Sequence, residues 1–335
     1  MSLATYNVRT LFQVGKFDQL TRQAKELPID IIAVQEHRWR THSDIDQKWS
    51  DDGEFLFIFS SADKNRVGGV GVLVRRKHVG SYRTADKVSD RIIKVYFEGN
   101  PMVTFIAAYA PTENADQASK DKFYQDLSNA ISSEPPHNIL IVLGDFNARI
   151  GPDSHTSNSQ CIGNFHYHNA TNDNGKRLVE LCEQTNIRHV QSRFPQPKKK
   201  LWTWTHPKEF GADGRVIHAQ LDHILVNAKW IRSVTNCRAY NSVELNSDHR
   251  ILSSQFNIRF RKATTKPSAR TKYLWEKLNI NEAIREDYKL ELKNRFEALD
   301  TLYESRHDDP ETLYKEITST VADSEKKYLE IHPRK

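Results

Sequence analysis

Residues 138–151 read Asn138-Ile139-Leu140-Ile141-Val142-Leu143-Gly144-Asp145-Phe146-Asn147-Ala148-Arg149-Ile150-Gly151. Five consecutive bulky apolar residues, bounded by Pro135, Pro136 and Gly144, describe a strand covered on both faces. A carboxylate and a carboxamide stand at its C-terminal end, two residues apart and so on one side of an extended backbone, with Phe146 turned the other way. Such a pair suits a water and a phosphate oxygen. Asp and Asn also simply close turns, so the stretch acquires meaning only from the rest of the chain.

Working outward, other apolar runs end in polar residues in the same way. A first short strand ends at Asn7, and a second, Ile29 to Val34, runs into Gln35-Glu36-His37. Phe55 to Phe59, Val70 to Val74, Ile92 to Phe97 and Val103 to Tyr109 are further strands, and Trp202 to Thr205, Leu221 to Asn227 and Ile251 to Phe260 bring the expected set to about ten. Helices are expected through Phe17, Leu20, Ala24 and Leu27, through Phe123, Leu127, Ala130 and Ile131, and through Leu178, Leu181 and Cys182. Gly68-Gly69-Val70-Gly71 lacks the spacing of a dinucleotide loop and reads as close packing. His166 and His168 lie in the long polar segment between Pro152 and Asn174 and do not complete a metal site.

Beyond Arg261 the pattern changes. Residues 262–272 read as a linker and 273–335 as a helical hairpin, with Ile284, Tyr288, Leu292, Phe296, Leu299 and Tyr303 at helical spacing and a second helix opening after Asp309-Pro310-Glu311. Its charges balance at 15 of each sign, so the net +6 of the 335 residues belongs to residues 1–261. A basic domain attracts polyanions. Cys161, Cys182 and Cys237 form neither a disulfide framework nor a C-x-x-C metal motif, which points to a reducing compartment. No basic leader precedes an apolar segment and no apolar run is long enough to cross a membrane, so the expected setting is intracellular without membrane association.

If the strands lie side by side, Asn7, Glu36, Tyr109, Asp145, Asn147, Asp222 and the Asp248-His249 pair converge on one rim. The chemistry they suit is phosphodiester hydrolysis. Glu36 and Asn7, with Asp248 as a further candidate, are hard ligands for Mg²⁺, with Mn²⁺ as a substitute. Asp222 is the expected partner that orients His249, and Asp145 is placed to act on water. Arg38 and the run Lys198, Lys199, Lys200 are expected to track DNA phosphates, with Trp39, Trp202 and Trp204 as stacking or packing groups.

Thr5-Tyr6-Asn7, Gln35-Glu36, Tyr109-Ala110-Pro111, Gly144-Asp145-Phe146-Asn147, Leu221-Asp222-His223-Ile224-Leu225 and Ser247-Asp248-His249 together resemble, in order, the endonuclease/exonuclease/phosphatase superfamily. The resemblance covers about residues 1–260. It implies an α/β fold, a four-layer sandwich of two packed, mainly antiparallel sheets flanked by helices, here with a C-terminal helical extension. It also implies that Asn7 and Glu36 hold a metal assisted by Asp248, that Tyr109 and Asn147 contact phosphate, and that either Asp145 or His249 is the base. Within the superfamily, Asn7-Val8-Arg9-Thr10-Leu11, Leu201-Trp202-Thr203-Trp204-Thr205 and the tail segment from Tyr288 to Phe296 resemble the endonucleases of RTE-type non-LTR retrotransposons and the host-domesticated craniofacial development protein 2-like proteins. That likeness implies a DNA-nicking, nuclear rather than cytoplasmic function, with Thr203 beside the DNA. It also makes the C-terminal helices the place where a protein partner, or a reverse transcriptase absent from this chain, is expected. A non-catalytic DNA- or chromatin-associated protein and an abasic-site repair endonuclease are the alternatives. A phosphoinositide phosphatase is disfavoured, since Gln220-Leu221-Asp222-His223 stands where Trp-Cys-Asp-Arg is expected.

Overall fold

The computed structural model describes residues 1–41, 43–210, 214, 216–240, 247–261 and 276–303, together with 317, 318, 320, 321, 324, 327 and 328. The chain divides into two compact units, Met1–Ala263 and Thr264–Lys335. In the first, β1 (Ser2–Asn7), α1 (Lys16–Glu26) and β2 (Ile31–Gln35) form a crossover unit with parallel strands, to which β3 (Ile45–Trp49), β4 (Phe55–Ser60) and β5 (Val70–Arg75) add antiparallel neighbours. After the single turn α2 (Arg76–Val79), the meander β6 (Tyr82–Ser89), β7 (Ile92–Phe97) and β8 (Val103–Tyr109) leads through α3 (Gln117–Ser132) to β9 (Ile139–Asp145), parallel to β8. There follow α4 (Pro152–Ser157), α5 (Asp173–Gln184), β10 (Ile187–His189), the two-stranded ribbon β11 (Trp204–Phe210) and β12 (Val216–Ala219), then β13 (Asp222–Asn227), β14 (Val234–Tyr240) and β15 (Ile251–Phe256).

The seven-stranded sheet has the order β14-β15-β1-β2-β5-β4-β3 and the six-stranded sheet β10-β13-β9-β8-β7-β6. Among the described residues parallel pairing joins β1 with β2 and β8 with β9, where a helix carries the chain back between strands that are neighbours in the sheet. The sheets pack face to face over Leu3, Ile31, Ala33, Val72, Phe105, Ile141, Leu143, Ile224 and Val226. On the outer faces, α1 covers Ala4, Tyr6, Ile32 and Val34 through Phe17 and Leu20, while α3 and α5 cover Ile106, Leu140 and Val142 through Phe123, Leu127 and Leu178. The result is a helix, sheet, sheet, helix sandwich. Strand β9 shows why its sequence is apolar throughout: Ile139, Ile141 and Leu143 enter the inter-sheet core, whereas Leu140 and Val142 meet the helices. Gly144 lets β8 and β9 approach, since a Cβ there would lie 2.0 Å from the Ala108 carbonyl oxygen.

The strands beyond the expected set are instructive. Four of them, β3, β6, β10 and β14, are the four sheet edges, and the fifth, β12, belongs to the ribbon. An edge strand is wetted along one side, so β6 alternates half-buried with exposed residues and lacks a continuous apolar run. Helix α5 starts at Asp173, with Asn172 as N-cap accepting from the Gly175 amide.

In the second unit, α6 (Glu276–Ile280) and α7 (Glu282–Tyr303) are helical, and Asn281 accepts from the Ala283 and Ile284 amides. Ile317, Val321 and Tyr328 are also helical, and the Tyr288 and Tyr328 rings meet edge to face. The expected linker 262–272 and the Asp309-Pro310-Glu311 cap lie outside the described residues. Among the described residues no helix is long and apolar enough to cross a membrane.

Candidate active site

The two crossover units explain how distant residues meet. Parallel pairing puts the C-terminal ends of both strands on the same edge, and register places Asn7 beside Gln35 and Tyr109 beside Asp145. Strand β13 runs the other way and begins there, with Asp222 directly opposite Asp145. Alternation then fixes direction. Asn7, Tyr109, Asp145 and Asp222 share the parity of the residues that fill the inter-sheet core, so the polar rim is the continuation of that core to the surface. Four non-glycine residues here take left-handed backbone, Arg9, Glu36, Arg38 and Asn147, with φ of 58°, 56°, 63° and 48°. Each turns the chain sharply as it leaves or approaches a strand end, a strained geometry that clusters at functional sites. Asn147 is therefore outside the strand, although its amide still donates to Asp145 Oδ1 at 2.9 Å.

Asn7 ties the two sheets together. Its Nδ2 donates to Glu36 Oε1 and to Asp145 Oδ2, both at 2.9 Å, and its Oδ1 accepts from the Arg9 amide. In this arrangement the Asn7 nitrogen, rather than its oxygen, faces the two carboxylates. Burial would raise the Glu36 carboxyl, but hydrogen bonds from Arg38, Asn7 and Tyr109 outweigh it and leave Glu36 below its usual pKa. Arg38 Nη2 reaches Glu36 Oε2 at 2.8 Å, so Arg38 belongs to the carboxylate rather than standing free for phosphate. Burial, with the charges of Glu36 and Asp145, keeps Tyr109 a neutral phenol.

His249 is held between two acids. Its Nδ1 meets Asp222 Oδ2 at 2.9 Å and its Nε2 stands 3.7 Å from Asp145 Oδ2. Burial opposes protonation of the ring, but the Asp222 and Asp145 charges together with the Asp222 hydrogen bond raise its pKa. Burial also raises Asp145; the His249 charge pulls it back and the Asp222 charge pushes it up again. Behind Asp222 lies a buried imidazole chain that sequence reasoning did not use. His223 Nε2 donates to the Ala148 carbonyl at 2.8 Å, and its Nδ1 receives His189 Nε2 at 2.8 Å, so neighbours set both tautomers.

Glu36, Tyr109, Asp145, Asn147, Asp248 and His249 line a cleft of about 670 Å³ with Arg9, Glu113, Arg149, Asn172 and Trp204. Among the described residues, Asp145, Asp222 and His249 form the group whose possible ligand atoms lie within 4.8 Å of one another. Asp248 gives Oδ2 to Trp204 Nε1 at 3.1 Å, while its Oδ1 is buried without a hydrogen bond. That Oδ1 faces the Arg9 guanidinium at 3.6 Å, and the two carboxylates Glu36 and Asp248 on one cleft are the oxygen donors a hard divalent cation takes. Thr203, expected beside DNA, is instead fully buried, and its hydroxyl accepts from the Leu221 and Asp222 amides. Lys198, Lys199 and Lys200 form a single 3₁₀ turn, with Lys198 and Lys199 exposed, and none of them lines the cleft.

Support for Asn147 comes from the start of α5 and the loop at residues 111–113. Asn174 Nδ2 donates to the Pro111 carbonyl at 3.0 Å and reaches the Asn147 carbonyl at 3.4 Å, and Glu113 receives Asn172 Nδ2 with the Asp173 and Asn174 amides. Arg9 was legible within its motif but not as a cleft residue.

Comparison with known proteins agrees with the fold. Craniofacial development protein 2 of Bos taurus is 29% identical over 268 residues, 79% of this chain and 43% of its own length, so the chain spans less than half of that curated relative. An AP endonuclease from Archaeoglobus fulgidus superposes with a TM-score of 0.57 at 17% identity, covering 77% of this chain and 100% of its own. The endonuclease domain of TRAS1, a telomere-specific non-LTR retrotransposon, superposes with a TM-score of 0.52 at 12% identity, covering 77% of this chain and 99% of its own. At such identities the two structures speak for the fold. The pattern of the Endonuclease/Exonuclease/phosphatase family matches residues 4–249, and the chain belongs to that family.

Proposed function

We propose that the chain is a divalent-metal-dependent phosphodiester hydrolase that nicks DNA, in the manner of a non-LTR retrotransposon endonuclease. The observation that carries the reading is the position of His249, clamped by Asp222 and facing Asp145 across a cleft also lined by Glu36, Tyr109, Asn147 and Asp248. A Mg²⁺ ion held by Glu36 and Asp248 would supply charge neutralisation at the phosphate and the departing oxygen. Asp145, fixed by Asn7 and the Asn147 amide, accepts the proton of the attacking water. One P–O bond forms to that water and one P–O bond to a sugar oxygen breaks. His249, kept cationic by its two acids, faces the charge that builds on the phosphoryl group. Tyr109 and Asn147 flank the phosphate from the second sheet.

DNA is favoured as the polyanion by the positive excess of residues 1–261 and by Arg9 and Arg149 on the cleft. With DNA as substrate, the nucleus is the expected compartment. The test is supercoiled plasmid incubated with the full chain and Mg²⁺: open circles should form and EDTA should stop their formation. Salt-dependent retention of DNA without any nicking would favour the non-catalytic binding protein instead.

A further inference from the structure

The His249–Asp222 pair straddles two sheets. Asp222 opens β13 in the six-stranded sheet, whereas His249 lies just before β15 in the seven-stranded sheet. Strand pairing therefore does not fix one against the other. A hydrogen bond of 2.9 Å between them needs some element that grips both strand starts.

That element is the three-residue stem Thr203-Trp204-Thr205 at the base of the ribbon. On one side, the Thr203 hydroxyl accepts from the Leu221 amide at 3.0 Å and the Asp222 amide at 3.1 Å, and the Thr203 amide donates to the Ala219 carbonyl at 2.8 Å. On the other side, the Arg250 amide donates to the Thr203 carbonyl, the Thr205 amide donates to the Asp248 carbonyl at 2.9 Å, and Trp204 bridges His249 in antiparallel register. Trp204 Nε1 also fixes Asp248 Oδ2. Just before the stem, the Trp202 ring is sandwiched between the Arg250 guanidinium and the His218 ring, the latter stacked at 3.7 Å and 10°. The Asp222 carboxylate has no other hydrogen bond, since its Oδ1 is buried without one and its Oδ2 is the atom that meets His249, while its backbone is also held by Gln191 Nε2 at the carbonyl and by pairing with Asp145.

We propose that Thr203 is a positioning residue whose side chain and backbone splint the start of β13 to the Asp248–Arg250 turn, and so align Asp222 with His249. The proposal rests on the hydrolase reading for its kinetic consequence, but not for its geometry. Removing the hydroxyl leaves two amides without their acceptor at a fully buried position, and the start of β13 shifts to relieve them. A shift of about 1 Å in a catalytic pair costs on the order of 10²-fold in rate.

The experiment uses the full chain with ¹⁵N-labelled histidine and follows the His249 Nδ1–H resonance without DNA, alongside steady-state nicking. In the wild type the proton bonded to Asp222 should resonate far downfield. Thr203→Val should broaden or move it and lower kcat about 10²-fold with KM near the wild-type value. Thr203→Ser, which keeps the hydroxyl, should restore both, and it stands in should the valine variant fail to fold: a serine variant that folds yet loses the resonance overturns the proposal. An unmoved resonance in folded Thr203→Val, or a change confined to KM, overturns it as well. Absence of nicking by the wild type would reject the hydrolase reading, while the resonance would still decide on the splint.

Discussion

Asp145 and Asp222 stand directly across from each other on adjacent antiparallel strands, both fully enclosed, with His249 hydrogen-bonded to one and facing the other. Two buried carboxylates at that spacing repel, and the imidazolium relieves the repulsion. Replacing His249 by Ala removes both the relief and the group that faces the phosphate. Nicking should fall by ~10² to 10⁴, and a carboxyl retaining its proton near neutrality should become visible by infrared titration. Wild-type nicking by His249→Ala would contradict this.

Glu36 joins the two halves of the site and is kept ionised by Arg38, Asn7 and Tyr109. Glu36→Gln preserves size but removes the charge a hard cation needs. Calorimetric titration with Mn²⁺ should show affinity weakened by roughly 10- to 100-fold. Equal affinity in the two proteins would remove Glu36 from the ion site.

How far the site was legible follows from these residues. Asn7, Glu36, Tyr109, Asp145 and Asp222 were visible because each ends or opens an apolar strand, a purely local pattern. What the pattern does not carry is the partner across a sheet boundary. The sequence does not show that the Asn7 nitrogen lies between two carboxylates, nor that the Thr203 hydroxyl is buried on the Asp222 amide. The fold shows the same division. Central strands announce themselves by continuous apolar runs, whereas β3 and β6 place polar residues on their wetted side and give no such signal.

Buried neutral histidines make the fold acid-sensitive. Burial depresses His37 and His223 to about 4. A base whose folded pKa is lowered contributes stability that is present above its unfolded pKa of about 6.5 and is lost as pH falls through the folded value, up to ~3 kcal/mol each. Urea midpoints should therefore decline steadily from pH 6.5 to pH 4, above the range where most carboxylates titrate. A flat profile over that window would show that these rings are not held neutral.

Gly144 keeps β8 and β9 in contact at the foot of the site. Gly144→Ala places a methyl 2.0 Å from the Ala108 oxygen, and overpacking of this kind costs about 1–3 kcal/mol. Urea unfolding should register the loss. An unchanged midpoint would mean that the strands separate freely.

Lys198 and Lys199 are exposed outside the cleft, so their contribution is to affinity rather than chemistry. The double Ala variant should weaken DNA binding uniformly across sequences and reduce the slope of log K against log salt by about 2, with the turnover rate at saturating DNA unchanged. An unchanged slope would detach this turn from the DNA path.

The measurement closest to the central claim is the single-turnover cleavage of an end-labelled duplex by the wild type and Asp145→Asn with Mg²⁺ present. The account predicts cleavage by the wild type and a rate at least ~10²-fold lower for Asp145→Asn, since the amide no longer takes the proton of water. Equal rates for the two proteins would contradict it.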